Sequence, residues 1–271
     1  MEYEVFAERE KAGWADSDIV EGYIRGFGPV VDSACDAHIS ALHDRTKVLD
    51  LCCGQGTLTG RLAARGHYAE GLDFSPDMLN RARSAAPGVV FTRGDAQNLP
   101  YDDNSFDAVV CNFGMMHIPD QPKALGEAAR VLKPGGMFSM TSWVGPEASD
   151  AFRLIFANAR ANMPEGISPP SQPDLFVYGR PADSAGLLRT GGLAVLRHEI
   201  LQLAWDLESA EELFDIFLNG TVGARITLMS LDADGRSKAA EAVRKAVEND
   251  FRTEKGYRVP APVAHILASP I

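Results

Sequence analysis

Cysteine is scarce in this 271-residue chain, which has four: Cys35, Cys52, Cys53 and Cys111. That is too few for the disulfide framework of a secreted scaffold, so reduced thiols are expected. None stands at a zinc-ligand spacing with the six scattered histidines, and no metal site is expected. Positive charge is also in deficit, with 26 Lys and Arg against 37 Asp and Glu, a net charge of -11. Nucleic-acid binders need a basic face because phosphate contacts dominate their affinity, and no Lys/Arg cluster offers one. No apolar run approaches the ~18 to 20 residues of a membrane span. The opening Met1 to Glu10 is acidic and lacks the apolar segment of a signal peptide. Internal repeats and low-complexity tracts are missing as well. An acidic, cytoplasmic, globular protein is expected.

One stretch organises the rest. Val48 to Leu51 is a short apolar run that reads as a buried strand, followed by a turn, Cys52-Cys53-Gly54-Gln55-Gly56. Leu58, Leu62 and Ala63 then share one face of a helix. Gly54 and Gly56 lack a Cβ, so the chain can turn sharply and a ligand can lie against it. The first N–H groups of the helix point into the same gap with the positive end of the dipole. Such a turn suits an adenosine-containing cofactor, although a Gly-x-Gly turn by itself also fits a ligand-free β-to-α connection.

Residues 1–44 read as helical, broken at Gly26, Gly28 and Pro29. Trp14, Tyr23 and Phe27 in this segment either pack a flanking helix or form a lid. Tyr68 to Asp73 reads as a second strand that ends on an acid about 20 residues past the glycine turn, where a carboxylate can accept from ribose hydroxyls. Ser75-Pro76-Asp77 starts the next helix with a cap, a proline and an acid. Val89 to Thr92, Phe106 to Cys111 and Met137 to Ser142 are three further strands. Gly94-Asp95-Ala96-Gln97 is a loop, and Asp120 and Pro122 open a helix that Lys133 to Gly136 stop. Five strands alternating with helices imply a parallel sheet with right-handed crossovers. Ligands of such sheets bind beyond the carboxyl ends of the strands, where Cys52 to Gly56, Asp73, Asp95 and Asn112 all fall. Beyond Trp143, helices are expected at Asp150 to Met163, Asp183 to Arg189, Glu211 to Leu218 and Lys238 to Phe251. Strands are expected at Leu193 to Leu207 and Tyr257 to Ala268, as an antiparallel pair at a sheet edge.

Five motifs in register resemble the class I S-adenosylmethionine-dependent methyltransferases, in particular the UbiE/type 11 group of small-molecule enzymes. They are Val48 to Gly56, Gly71 to Met78, Gly94-Asp95-Ala96, Phe106 to Val109 and Arg130 to Gly136. The resemblance is dense over about residues 45 to 145. It implies a Rossmann-like α/β fold: a seven-stranded, mostly parallel sheet with flanking helices, an antiparallel last strand, and helical caps at the N-terminus and after the fifth strand. The expected parts are an N-terminal lid (1–44), a cofactor-binding core (45–145) and the remainder of the same domain (146–271). The cofactor would be S-adenosyl-L-methionine, leaving S-adenosyl-L-homocysteine. The resemblance assigns Asp50 to the loop or the methionine amino group, Asp73 to the ribose, and Phe74 and Met78 to packing on the adenine. It gives Asp95 the exocyclic amine, with Ala96 and Gln97 behind it, and puts Asn112 and Phe113 near the transferable methyl. Cys52 departs from the family, which commonly has glycine there.

Transfer from a sulfonium is an in-line displacement in which alignment supplies most of the rate. An O or N nucleophile can also need its proton removed. His117, five residues after Asn112, is the candidate base, with a structural role before Pro119 as the alternative. Trp14, Tyr23, Phe27, Met115, Met116, Trp143 and Tyr178 are the candidates to line an acceptor pocket, and they suit a partly apolar molecule. Two other functions share the turn and Asp73: an NAD(P)-dependent oxidoreductase and a non-catalytic cofactor-binding protein. Against the first, the chain has no Tyr-x-x-x-Lys pair and gives Gly94-Asp95-Ala96 no role.

Overall fold

A computed structural model describes residues 3–44 and 46–271. Met1, Glu2 and Arg45, with which the sequence reading opens the N-terminal segment and the core, lie outside the described residues. Four short helices come first: α1 (Glu4–Gly13), α2 (Ser17–Gly26), α3 (Gly28–Ser33) and α4 (Cys35–Ser40). The alternating part runs β1 (Lys47–Leu51), α5 (Thr57–Ala64), β2 (Tyr68–Asp73), α6 (Pro76–Ala85), β3 (Val90–Arg93), β4 (Phe106–Asn112), α7 (Gln121–Val131) and β5 (Leu132–Trp143). After it come α8 (Asp150–Ala161), α9 (Pro181–Thr190), β6 (Leu193–Leu201), β7 (Ala204–Leu207), α10 (Glu212–Gly220), α11 (Val222–Met229) and α12 (Ala233–Asp250). The chain closes with β8 (Arg252–Thr253), β9 (Gly256–Pro260) and β10 (Val263–Pro270).

The main sheet has seven strands in the order β3-β2-β1-β4-β5-β10-β6. β1 to β5 pair in parallel, and β10 lies antiparallel between β5 and β6. This is the fold the sequence implies. Period-2 alternation explains how the sheet is covered. Leu49 and Leu51 point to a core that includes Val109, Phe138 and Leu125 of α7. Val48 points to the other face, where Cys35, Leu58 and Leu62 cover it. Local signals set several boundaries: the Ser75 and Asp120 side chains accept from Met78 N and Lys123 N and so cap α6 and α7. Gly66, at φ 88°, follows the end of α5 in the left-handed conformation.

The last third departs from the expected elements. Leu193 to Leu207 is two strands, and so is the run from Tyr257; the breaks fall at Gln202-Leu203 and Ala261-Pro262. β7, β9 and β8 form a separate three-stranded antiparallel sheet. An additional helix, α11, is capped by the Thr221 side chain. β7 and β9, with α2, α8, α10 and α12, enclose an aromatic-rich core beyond the tips of β4 and β5.

Candidate active site

Where β1 to β4 end, their loops and the N-terminal helices surround a cavity of about 770 Å³, a size typical of small-molecule sites. Cys52 and Gly54 come from the β1 loop, Asp73, Phe74 and Ser75 from the end of β2, and Asp95, Ala96 and Gln97 from the loop after β3. Asn112, Phe113 and Gly114 come from the end of β4; Glu10, Trp14 and Tyr23 belong to α1, its end and α2. Met78 of α6 completes the wall beside Gly54.

Asp73 is the best-defined group. It is buried, and its two carboxylate oxygens accept from Gly54 N and Ser75 N, each at 2.9 Å. A carboxylate has about four lone-pair sites, so Asp73 keeps acceptor capacity for a hydroxyl donor in the cavity. Burial raises its pKa while those N–H groups oppose the rise, so the site works by holding the carboxylate with fixed donors. Asp95 is held similarly, its Oδ1 accepting from Gln97 N at 2.8 Å and Gln97 Nε2 at 3.0 Å. Ser75 Oγ donates to Trp14 O at 2.7 Å and so ties the end of α1 to the Asp73 loop.

Four of the predicted cofactor residues stand behind the wall. Asp50 is buried and accepts from Thr59 Oγ1 at 2.6 Å, so it clamps the first turn of α5; burial pushes its pKa up to about 7 despite that bond. Cys53 packs with Leu79 and Phe91, and Gln55 Nε2 donates to Thr57 Oγ1 at 3.2 Å. Gly56 has φ 81°, and a Cβ on it would lie 2.8 Å from Ala82 Cβ and 2.9 Å from Phe91 Cζ. That glycine lets α5, α6 and β3 close together instead of admitting a ligand.

Cys52 adopts φ 59°, the left-handed region that favours glycine. It is accommodated because Gly114 faces it: a Cβ on Gly114 would collide with Cys52 Cβ and lie 3.0 Å from Cys111 Sγ. A hydrogen bond with Cys111, together with burial, holds Cys52 as a thiol. Its sulfur partner is thus Cys111, not the adjacent Cys53, and all four cysteines are free.

His117 lines the cavity, and its Nδ1 lies 2.9 Å from Glu10 Oε2. An ionised carboxylate only accepts, so against it Nδ1–H is the donor, and in the neutral ring of that tautomer Nε2 is the acceptor. Trp14 Nε1 donates to the same Glu10 oxygen at 2.8 Å. Glu10 is itself buried and was not singled out from sequence; its one signal is the i,i+4 spacing to Trp14 on α1. Of the acceptor-pocket candidates, Trp14 and Tyr23 reach the cavity. Phe27, Met116 and Trp143 are buried in the aromatic-rich core, while Met115 and Tyr178 belong to the core of the main sheet. Tyr178 Oη donates to Gln121 Oε1 at 2.9 Å, which satisfies its polar end inside the protein. Among the described residues no group of three or more His, Cys, Asp or Glu could hold a metal ion.

Residues 48–136 match the family model described as a methyltransferase domain. The demethylmenaquinone methyltransferase of Streptomyces griseus subsp. griseus is 36% identical over 170 residues, 60% of this chain and 69% of that protein. The chain belongs to the class I S-adenosylmethionine-dependent methyltransferases, in the UbiE-like group. The 2-phytyl-1,4-naphtoquinone methyltransferase of Nostoc punctiforme is 36% identical over 131 residues, 44% of this chain and 57% of that relative's length. A solved SAM-dependent methyltransferase from Thermotoga maritima shares the fold with a TM-score of 0.54 at 17% identity, covering 92% of this chain and 95% of its own. The residues of this methyltransferase cavity suit the family's cofactor: a diol acceptor in Asp73, a glycine-lined turn at Gly54, and apolar walls in Phe74 and Met78.

Proposed function

We propose that this methyltransferase alkylates a small, partly apolar, quinone- or phenol-like molecule, with Asp73 and Asp95 holding the adenosine end of the cofactor and His117 acting as the base. When bound, S-adenosylmethionine supplies a methyl group already activated by positive sulfur. Asp73 anchors the ribose through two oxygens that Gly54 and Ser75 keep in place. Phe74 and Met78 would pack on the adenine, and Asn112 and Phe113 would lie towards the methionine portion; all four line the cavity. Glu10 orients the His117 ring and favours its positive form once Nε2 has taken a proton from an acceptor hydroxyl. The acceptor class is supported by the names of the two quinone-directed relatives and by the Trp14 and Tyr23 rings on the cavity wall.

The observation that carries this reading is the convergence of Asp73, Asp95, Asn112 and His117 on one cavity. A labelled-methyl transfer screen against hydroquinones, phenols and amines tests it, with turnover expected on the first two classes. His117→Gln is expected to lower kcat on a hydroxyl acceptor by about 10²- to 10⁴-fold with little change in S-adenosylhomocysteine affinity. Unchanged turnover in that variant removes His117 from the reaction.

A further inference from the structure

A line of buried polar side chains crosses the molecule from the outer edge of the sheet to the cavity. Glu199 on the edge strand β6 lies 2.8 Å from His265 Nδ1 on β10. His265 Nε2 is 3.0 Å from Ser139 Oγ on β5, and Ser139 Oγ is 2.8 Å from His38 Nδ1 on α4. His38 Nε2 reaches Asn112 Oδ1 at 3.3 Å, and Asn112 lines the cavity. His38, Ser139 and His265 are fully buried, whereas Glu199 keeps 38% of its side chain exposed. Two buried imidazoles cost stability unless every polar atom is matched, so the direction of each bond can be worked out.

Asn112 fixes the inner end. Its Nδ2 donates to Val31 O at 3.1 Å, so Oδ1 must face Thr141 and His38. Thr141 Oγ1 donates to that oxygen at 2.6 Å. His38 Nε2 bonds to it only if it carries a proton; otherwise two lone pairs oppose each other. Burial lowers the His38 pKa to about 3, so the ring has one proton and Nδ1 must accept from the Ser139 hydroxyl. Ser139 has then spent its hydrogen and must accept from His265 Nε2–H. His265 Nδ1 finally faces Glu199, and one more proton is needed between them, on the imidazole or on the carboxyl.

We propose that Glu199, His265, Ser139 and His38 form a directional relay, complete only when its outer end holds that extra proton, and that the relay positions the Asn112 corner of the cofactor cavity. Without the proton, His265 Nδ1–H turns to the Glu199 carboxylate, every bond reverses, and His38 presents a bare nitrogen to Asn112 Oδ1. The groups facing His265 are Glu199 and Arg197 on β6 and His38 on α4; β5 contributes the hydroxyls of Ser139 and Thr141. Burial above all disfavours a charged His265; Glu199 opposes this and Arg197, 3.4 Å from Glu199, adds to it, so the relay fills on the acid side of the ordinary histidine range. These are positioning residues, since His38 acts on the cavity only through Asn112.

The test uses the full chain, with S-adenosylhomocysteine titrated calorimetrically between about pH 5.5 and 8. The wild type is expected to bind roughly tenfold more tightly at the acid end, the worth of one buried hydrogen bond. Glu199→Gln offers His265 an amide N–H donor at every pH, so it is expected to hold the tighter affinity across the range. Parallel pH profiles for the two proteins would overturn the relay. Histidine ¹⁵N shifts without ligand give a second readout: His38 protonated on Nε2 at acid pH and throughout in Glu199→Gln, and moving to Nδ1 in the wild type as pH rises. A His38 tautomer that never changes in the wild type also overturns it. The binding arm rests on the cofactor reading, and loss of binding at every pH would sink that reading while the ¹⁵N shifts still decide the relay.

Discussion

Around the cavity, position is set by hydrogen bonds: Asp73 to Gly54 and Ser75, Asp95 to Gln97, Glu10 to His117 and Trp14. Beyond the tips of β4 and β5, position is set by rings. Trp143 stacks on Trp205 at 5.4 Å, Phe217 meets Phe27, Phe152 and Trp205 at 5.1 to 5.5 Å, and Trp205 Nε1 finds Gly26 O at 2.9 Å. On the proposed function the first region is specified by what it has to bind, because a diol and an amine each demand particular atoms in particular places. The second needs apolar volume and shape, which many sequences provide. The matched family residues, 48–136, lie within the alternating βα part that carries most of the cavity wall, and the ring-built region falls mostly outside them.

The sharpest way to separate the two regions is to damage the second. Phe217→Ala is expected to cost about 3–5 kcal/mol of stability, the usual penalty for emptying a buried aromatic site. It should leave S-adenosylhomocysteine affinity within about twofold below the melting transition. Denaturant unfolding and calorimetry check this, and a large loss of affinity would show that the ring cluster shapes the cofactor site.

A smaller effect concerns Asp50, which supports the cavity from behind. Its folded pKa of about 7 lies above the ordinary value of 3.8 that the unfolded chain retains. The folded form therefore holds the proton more tightly, and its stabilising contribution is complete below about pH 4, falls as pH rises, and is gone above about pH 7. Asp50→Asn should consequently flatten the stability profile across that window, so that its stability relative to wild type increases from pH 5 to 8. Parallel melting curves would mean that Asp50 is not held in this way.

The smallest expected effect is at Cys52. Cys52→Gly relieves a left-handed backbone and should raise stability by about 1 kcal/mol, read as the denaturant midpoint. Gly114→Ala should do the reverse, because the added methyl has Cys52 in its path. The double variant should recover part of that loss, and additive effects would show that the two positions are independent.

How much of this was legible in the sequence follows the same division. The strand–turn–helix order, the caps at Ser75 and Asp120, and Asp73 at a strand end could be read directly, because each is a local signal with one physical meaning. The second sheet could not. β7 and β9 look like continuations of the longer runs beside them, and only their pairing with each other separates them. α11 was hidden by a sequence with three β-branched residues and a glycine, Val222-Gly223-Ala224-Arg225-Ile226-Thr227, which packing overrides. Met115, Met116 and Tyr178 show why pocket residues are harder still. Residue type alone does not say whether a methionine or tyrosine faces a cavity or a core. Glu10 and His38 lie far from their partners in sequence, 107 residues from His117 and 74 from Asn112, and nothing local marks either pairing.

Calorimetric titration of the purified chain with S-adenosylhomocysteine, alongside Asp73→Ala, bears most directly on the cavity. One-to-one binding is expected in the wild type, with affinity reduced about 100-fold in the variant, since two charge-assisted hydrogen bonds to the ribose are lost. Absence of binding in the wild type, or equal affinity in the two proteins, would contradict the assignment of this cavity to the adenosyl cofactor.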